Sequence, residues 1–101
     1  MASELPEHLR LVRRAQRDLD RIPQAERRRL IDDLIRLARN TLPGEIKRIT
    51  ALPGRPLQAD AGRFRILHQW DGSTVWVLTI FARPRQQAVF RSLRRAPRPL
   101  Q

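Results

Sequence analysis

Cysteine is absent from the 101 residues. That excludes a disulfide scaffold, a thiolate zinc site, an iron–sulfur centre and a cysteine nucleophile. Glycine is scarce, at 4, and never assembles a GxGxxG or P-loop spacing. A nucleotide-binding fold therefore has no support. No apolar run approaches the roughly 18–20 residues of a membrane span, so no membrane partner is expected. The opening MASELPEHLR lacks the basic-then-apolar order of a signal peptide, and a cytoplasmic location is the expectation. Lysine is nearly missing too. Lys47 is the one lysine among 21 basic residues, and the others are all arginine.

What is present is positive charge. The 21 basic residues face 10 acidic ones, a formal net charge of +11. Arginine grips phosphate with a planar, bidentate fork. The excess is uneven: residues 1–40 carry 10 basic and 7 acidic residues, and residues 41–101 carry 11 and 3. A phosphate polymer or a strongly acidic protein is the partner such a field attracts. Hydrophobic residues make up 41%, enough for one small core.

Periodicity divides the chain. In residues 24–40, QAERRRLIDDLIRLARN, Leu30, Leu34, Leu37 and Ala38 share a helical stripe that Ile31 and Ile35 widen. Pro23 suits the helix start, and residues 41–44, Thr-Leu-Pro-Gly, are expected to end it. Arg28/Asp32, Arg29/Asp33 and Asp32/Arg36 are spaced as i,i+4 ion pairs. A helix is expected over residues 15–22. Residues 8–13 fit both a helix and, through Leu9 and Leu11, a strand. Residues 63–69, RFRILHQ, alternate, with Phe64, Ile66 and His68 on one face and Arg63, Arg65, Leu67 and Gln69 on the other. Asp71-Gly72 signals a hairpin. Residues 74–82, TVWVLTIFA, read as a strand covered on both faces, with Trp76 in the core. An extended stretch over residues 47–60 is punctuated by Pro53-Gly54 and Pro56. Residues 86–93 suit a short helix. The expected class is α+β: a small antiparallel-rich sheet, two N-terminal helices on one face, a short C-terminal helix, and the other face left for a partner. Residues 1–93 form one domain on this reading, and residues 94–101 a basic, disordered tail.

Three pieces, in this order, resemble the RelE/ParE superfamily of toxins from toxin–antitoxin pairs. RRAQRDLDRIP, residues 13–23, is similar to the family's first helix. GRFRILHQWDG, residues 62–72, resembles its arginine-bearing strand and hairpin. VWVLTIFARPRQQAVF, residues 75–90, resembles its last strand and the segment that follows. The resemblance implies a short edge strand over residues 8–13 and a basic concave face. It also implies one of two activities. RelE-like members cleave messenger RNA in the ribosomal A site; ParE-like members inhibit DNA gyrase. An antitoxin silences both.

By this resemblance Arg65 corresponds to the arginine that contacts the cleaved phosphate, and Arg83 to a second arginine that stabilises transition-state charge. The family's final tyrosine corresponds to Phe90, and the chain contains no tyrosine. The paired lysines of RelE itself fall near Pro56 and Gln58, where Arg55 replaces their charge only. Metal-free RNA cleavage needs the 2′-OH activated and the 5′-oxygen protonated, and arginine is too basic for that work. His68, His8, Lys47, Glu45 and Asp60 are the candidates for acid–base chemistry. His68 has the best-placed intrinsic pKa, although alternation sets it opposite Arg65. Arg55, Arg63, Arg85, Lys47 and Arg48 are expected phosphate contacts, and Phe90 a base-stacking ring. The resulting expectation is a ribosome-dependent mRNA endoribonuclease that needs no metal or other cofactor. Its partners are a cognate antitoxin, the ribosome and mRNA. The alternatives are a gyrase inhibitor, an inactive antitoxin-binding member, or a basic nucleic-acid-associated domain.

Overall fold

The structure, a computed structural model, describes residues 5–95. The elements run β1 (Leu9–Leu11), α1 (Arg13–Asp20), α2 (Gln24–Ala38), β2 (Lys47–Arg48), β3 (Leu57–Ala61), β4 (Phe64–Trp70), β5 (Val75–Ala82) and α3 (Gln86–Arg95). A 3-10 turn, Arg83–Arg85, joins β5 to α3. The strands form one sheet in the order β1-β5-β4-β3-β2. β1 lies parallel to β5, with Leu9 opposite Val75 and Leu11 opposite Val77, and the other pairings are antiparallel. The edge strand within residues 8–13 is therefore present. α1 starts at Arg13, two residues before the expected helix, and ends at Asp20.

Consecutive strand residues point to opposite faces, and here each face has its own core. Ile66 and Ile80 join Leu19, Leu30, Leu34 and Leu37 under α1 and α2. Leu67 and Phe81, their immediate neighbours in sequence, join Leu52, Leu78, Val89 and Leu93 under α3. The second face was expected to lie open for a partner. Instead α3 and the segment holding Leu52 cover part of it, because Val89 and Leu93, four apart on α3, both have apolar surface to bury. α3 also continues through Arg94 and Arg95, which the sequence placed in the tail. The rest of that expected tail lies outside the described residues. Trp76 is half-buried rather than core, and Trp70 is 58% exposed.

Local polar contacts set the element ends. α2 ends at Ala38, two residues short of the segment 24–40 expected to be helical, and its cap runs into the expected stop at residues 41–44. Asn40 takes φ 58° and donates to Leu37 O, while Thr41 N–H reaches Arg36 O at 2.8 Å, the paired bonds of a Schellman cap. The described ion pair on α2's exposed face is Arg36–Asp33 at 2.8 Å, three residues apart rather than any of the expected i,i+4 pairs. The β4–β5 hairpin is organised by Asp71. Its carboxylate accepts Ser73 N–H at 2.9 Å, Thr74 N–H at 2.8 Å and the Trp76 indole N–H at 2.9 Å. The Trp76 and backbone donors hold that carboxyl well below the usual range.

Beyond Leu11, β1 no longer covers β5, and α1 takes its place along that edge. Asp18 of α1 accepts the Thr79 hydroxyl at 2.7 Å and the Ile80 N–H at 3.0 Å, so a strand-edge donor finds its acceptor in a helix side chain. Asp18→Ala is expected to cost about 1–3 kcal/mol, the penalty for two unpaired donors. Asp18→Asn, which keeps an acceptor, is expected to cost less. Urea midpoints of the two variants against the parent check both the loss and the order.

Candidate nucleic-acid site

Arg65 stands on β4 with the parity of Leu67, so it projects to the α3 face. Its partner across the β3–β4 ladder is Asp60. The Arg65 Nε donates to Asp60 Oδ1 at 3.2 Å, and its Nη1 donates to Gln86 Oε1 at the start of α3. Arg83, in the 3-10 turn, reaches the other carboxylate oxygen, Asp60 Oδ2, at 3.6 Å and also donates to Gly62 O at 3.0 Å. The two arginines singled out in the sequence thus converge on one carboxylate, each on its own oxygen. Arg65 is half-buried and Arg83 exposed. A planar group offering two anionic oxygens is what this arrangement holds, and a phosphate presents the same pattern.

Gln86 and Asp60 as partners of Arg65 escaped the sequence reading. Asp60 carried a readable signal: AGRF, residues 61–64, closes a hairpin with Gly62 at φ 59°, which sets Asp60 opposite Arg65. Gln86 carried none, because its place depends on how α3 packs.

His68 is set apart from this pair. It is 3% exposed, shares the face of Phe64 and Ile66, and its Nδ1 lies 3.3 Å from Ile66 O. The structure thus separates it from Arg65 and Arg83, because strand alternation sends it to the α1/α2 side. Burial pushes its pKa below the usual 6.5. Below that value the unfolded chain binds a proton that the folded chain resists, so folding stability falls with acidification. From about pH 7 to about pH 5 the loss is expected to approach 1.4 kcal/mol per pH unit at most. Urea midpoints across that range check it; His68→Leu is expected to flatten the slope.

The expected phosphate contacts are dispersed. Arg63 is gripped by Glu26 of α2, Nε–Oε2 2.5 Å and Nη2–Oε1 3.0 Å, and its guanidinium lies 4.4 Å from the Phe64 ring centre. Lys47 and Arg48 occupy β2 at the outer edge, with β3 between them and β4. Arg48 donates to Arg55 O at 2.9 Å. Arg85 is exposed in the 3-10 turn. Phe90 is half-buried, edge-on to Phe81 with ring centres 6.2 Å apart. Of the other acid–base candidates, His8 Nε2 lies 2.9 Å from Ala38 O, and Glu45 is exposed. Among the described residues, no three His, Asp or Glu side chains gather as a metal-ligand set. No helix among them is long and apolar enough to cross a membrane.

No family model matches this sequence, and no curated protein matches it. Solved structures do. The chain is similar to one from the toxin–antitoxin complex RelBE2 of Mycobacterium tuberculosis, with 24% identity and a TM-score of 0.64. That match covers 78% of this chain and 100% of the other. It is similar also to one from the RelB–RelE antitoxin–toxin complex of Methanococcus jannaschii, with 18% identity, a TM-score of 0.60, and 79% and 96% of the two chains covered. These likenesses define the fold as RelE-like: α+β, a five-stranded mixed sheet, two N-terminal helices and one at the C-terminal end.

Proposed function

We propose that this chain is the toxin of a type II toxin–antitoxin pair and cleaves ribosome-bound messenger RNA. The observation that carries this reading is the convergence of Arg65 and Arg83 on Asp60. The net charge of +11 and the RelE-like fold, found in complexes of toxin with antitoxin, support it. On this reading the scissile phosphate displaces Asp60 from the two guanidinium groups. The ribose 2′-oxygen attacks phosphorus, the bond to the 5′-oxygen breaks, and the 2′-OH proton leaves as the 5′-oxygen gains one. Arg65 and Arg83 neutralise the charge that grows on the non-bridging oxygens, the largest contribution a protein usually makes to such a step. Asp60 is the carboxylate in contact with the pair, and the ribosome supplies further groups around the substrate. The cognate antitoxin is the silencing partner, and the cytoplasm the site of action.

A second reading, inhibition of DNA gyrase, is favoured by one specific observation. His68 is buried on the far face and Phe90 carries no hydroxyl, so neither serves a proton transfer at the arginine pair. Induction of the toxin alone, followed by primer extension on cellular mRNA and plasmid topology gels, separates the two. Discrete cuts within translated codons with unchanged supercoiling are expected. Growth arrest with intact mRNA and altered supercoiling would transfer the assignment to gyrase.

A further inference from the structure

A second concentration of arginine lines a cleft to which neither Arg65 nor Arg83 contributes. This cleft, of about 490 Å³, runs between α1 and α3 above β5. Ile80, Phe81 and Val89 are among the residues of its floor. Five arginines line it: Arg14 and Arg17 from α1, Arg21 from the residue that caps its C-terminal end, Arg63 from the β3–β4 turn, and Arg85 from the 3-10 turn. The lining contains one carboxylate, Asp18, and that is committed to Thr79 and Ile80 of β5.

The α1 arginines are not scattered. Positions 14, 17 and 21 follow the i, i+3, i+7 spacing of one helix stripe and span about 10 Å of axis. Arg14 is half-buried and donates to Ser92 of α3 at 3.2 Å, bridging the cleft's two walls. Arg63 is neutralised by Glu26. Arg17, Arg21 and Arg85 are exposed and, among the described residues, form no ion pair with an acidic side chain. Three exposed positive groups around a concave surface concentrate anions there.

We propose that this cleft is a phosphate track for single-stranded RNA, holding the strand that flanks the scissile phosphate through Arg17, Arg21 and Arg85. The inference rests on the nuclease reading and extends it. Arg83 and Arg85 belong to the same three-residue turn, so a strand leaving the Arg65/Arg83 pair enters the cleft by crossing that turn. Guanidinium groups along two walls of one cleft fit a run of backbone phosphates, contacts that position a strand without reading its sequence.

The test is fluorescence anisotropy of the full chain with a labelled, unstructured RNA of about 15 nucleotides, a length suited to one small domain. Affinity is measured across a salt series for the parent, for Arg17→Gln/Arg21→Gln/Arg85→Gln, and for the same three positions changed to Lys. Losing three phosphate contacts is expected to lower the magnitude of the log–log salt slope by about 2, at roughly 0.7 per contact for single strands. Affinity at low salt is expected to fall about tenfold or more, and the Lys variant to recover most of the slope. Thermal melting of each variant establishes that the fold is kept. A Gln variant that binds with the parental slope overturns the cleft while leaving the Arg65/Arg83 reading intact. A parent that does not bind RNA overturns the cleft as a track, whereas the Arg65/Arg83 reading falls only if cleavage on programmed ribosomes is absent. Polyglutamate that displaces the RNA at matched charge overturns the RNA assignment and gives the cleft to an acidic protein segment.

Discussion

Replacing Arg65 and Arg83 together with alanine is expected to slow mRNA cleavage on programmed ribosomes by at least about 100-fold. Removing one preorganised donor from a developing oxyanion already costs on the order of 100-fold to 1000-fold. Here two donors go, and they are the two that share Asp60. Lysine at both positions keeps the charge and loses the fork, so an intermediate rate is expected. The fold has little stake in either side chain: Arg83 is exposed, and Arg65 reaches out to partners at the rim rather than into a core. Melting temperature and antitoxin binding are therefore expected to stay near the parent's. Single-turnover cleavage of a message with one defined codon in the A site makes the measurement. Parental rates in the double alanine variant remove the proposed site.

The largest expected effect on stability belongs to Leu34. Its side chain is fully buried under α2, at the centre of the cluster shared by both N-terminal helices and the sheet. Leu34→Ala is expected to cost about 2–5 kcal/mol, the sum of lost transfer energy and an unfilled cavity. A domain of this size has roughly 5–15 kcal/mol in total, so the variant sits close to unfolding at physiological temperature. Ala25, exposed on the same helix, is the contrast: Ala25→Ser is expected to shift stability by less than about 0.5 kcal/mol. Urea midpoints decide. A loss below about 1 kcal/mol for Leu34→Ala contradicts the assignment of this core.

These two sites differ in how far the sequence announces them. The Leu30, Leu34, Leu37 stripe is visible because one buried face imposes one period on a helix. β4 is visible for the same reason with period two, and that alternation alone sends Arg65 and His68 to opposite faces. β1 is three residues long and gains its identity from β5, some 66 positions away by register, so no local pattern distinguishes it from a helix turn. The covering of the second face was hidden because it depends on α3 folding back over β5. The Arg65–Arg83 meeting needed tertiary structure as well: the hairpin sets Asp60 opposite Arg65, but Arg83 reaches Asp60 only through the β4–β5 register and the 3-10 turn that follows. The α1 arginine stripe was concealed differently. Charged positions on a helix ordinarily face water, and only the placement of α3 turns this stripe into a wall of a cleft.

The central claim is that paired arginines act on an RNA phosphate attacked by its own 2′-oxygen. The most direct measurement is the end chemistry of mRNA fragments recovered from programmed ribosomes after exposure to the purified chain. The account predicts 5′-hydroxyl and 2′,3′-cyclic phosphate ends at cuts within the A-site codon, and no such ends with the Arg65→Ala/Arg83→Ala chain. Fragments bearing 5′-phosphates, or cyclic-phosphate ends that persist in the double variant, would contradict it.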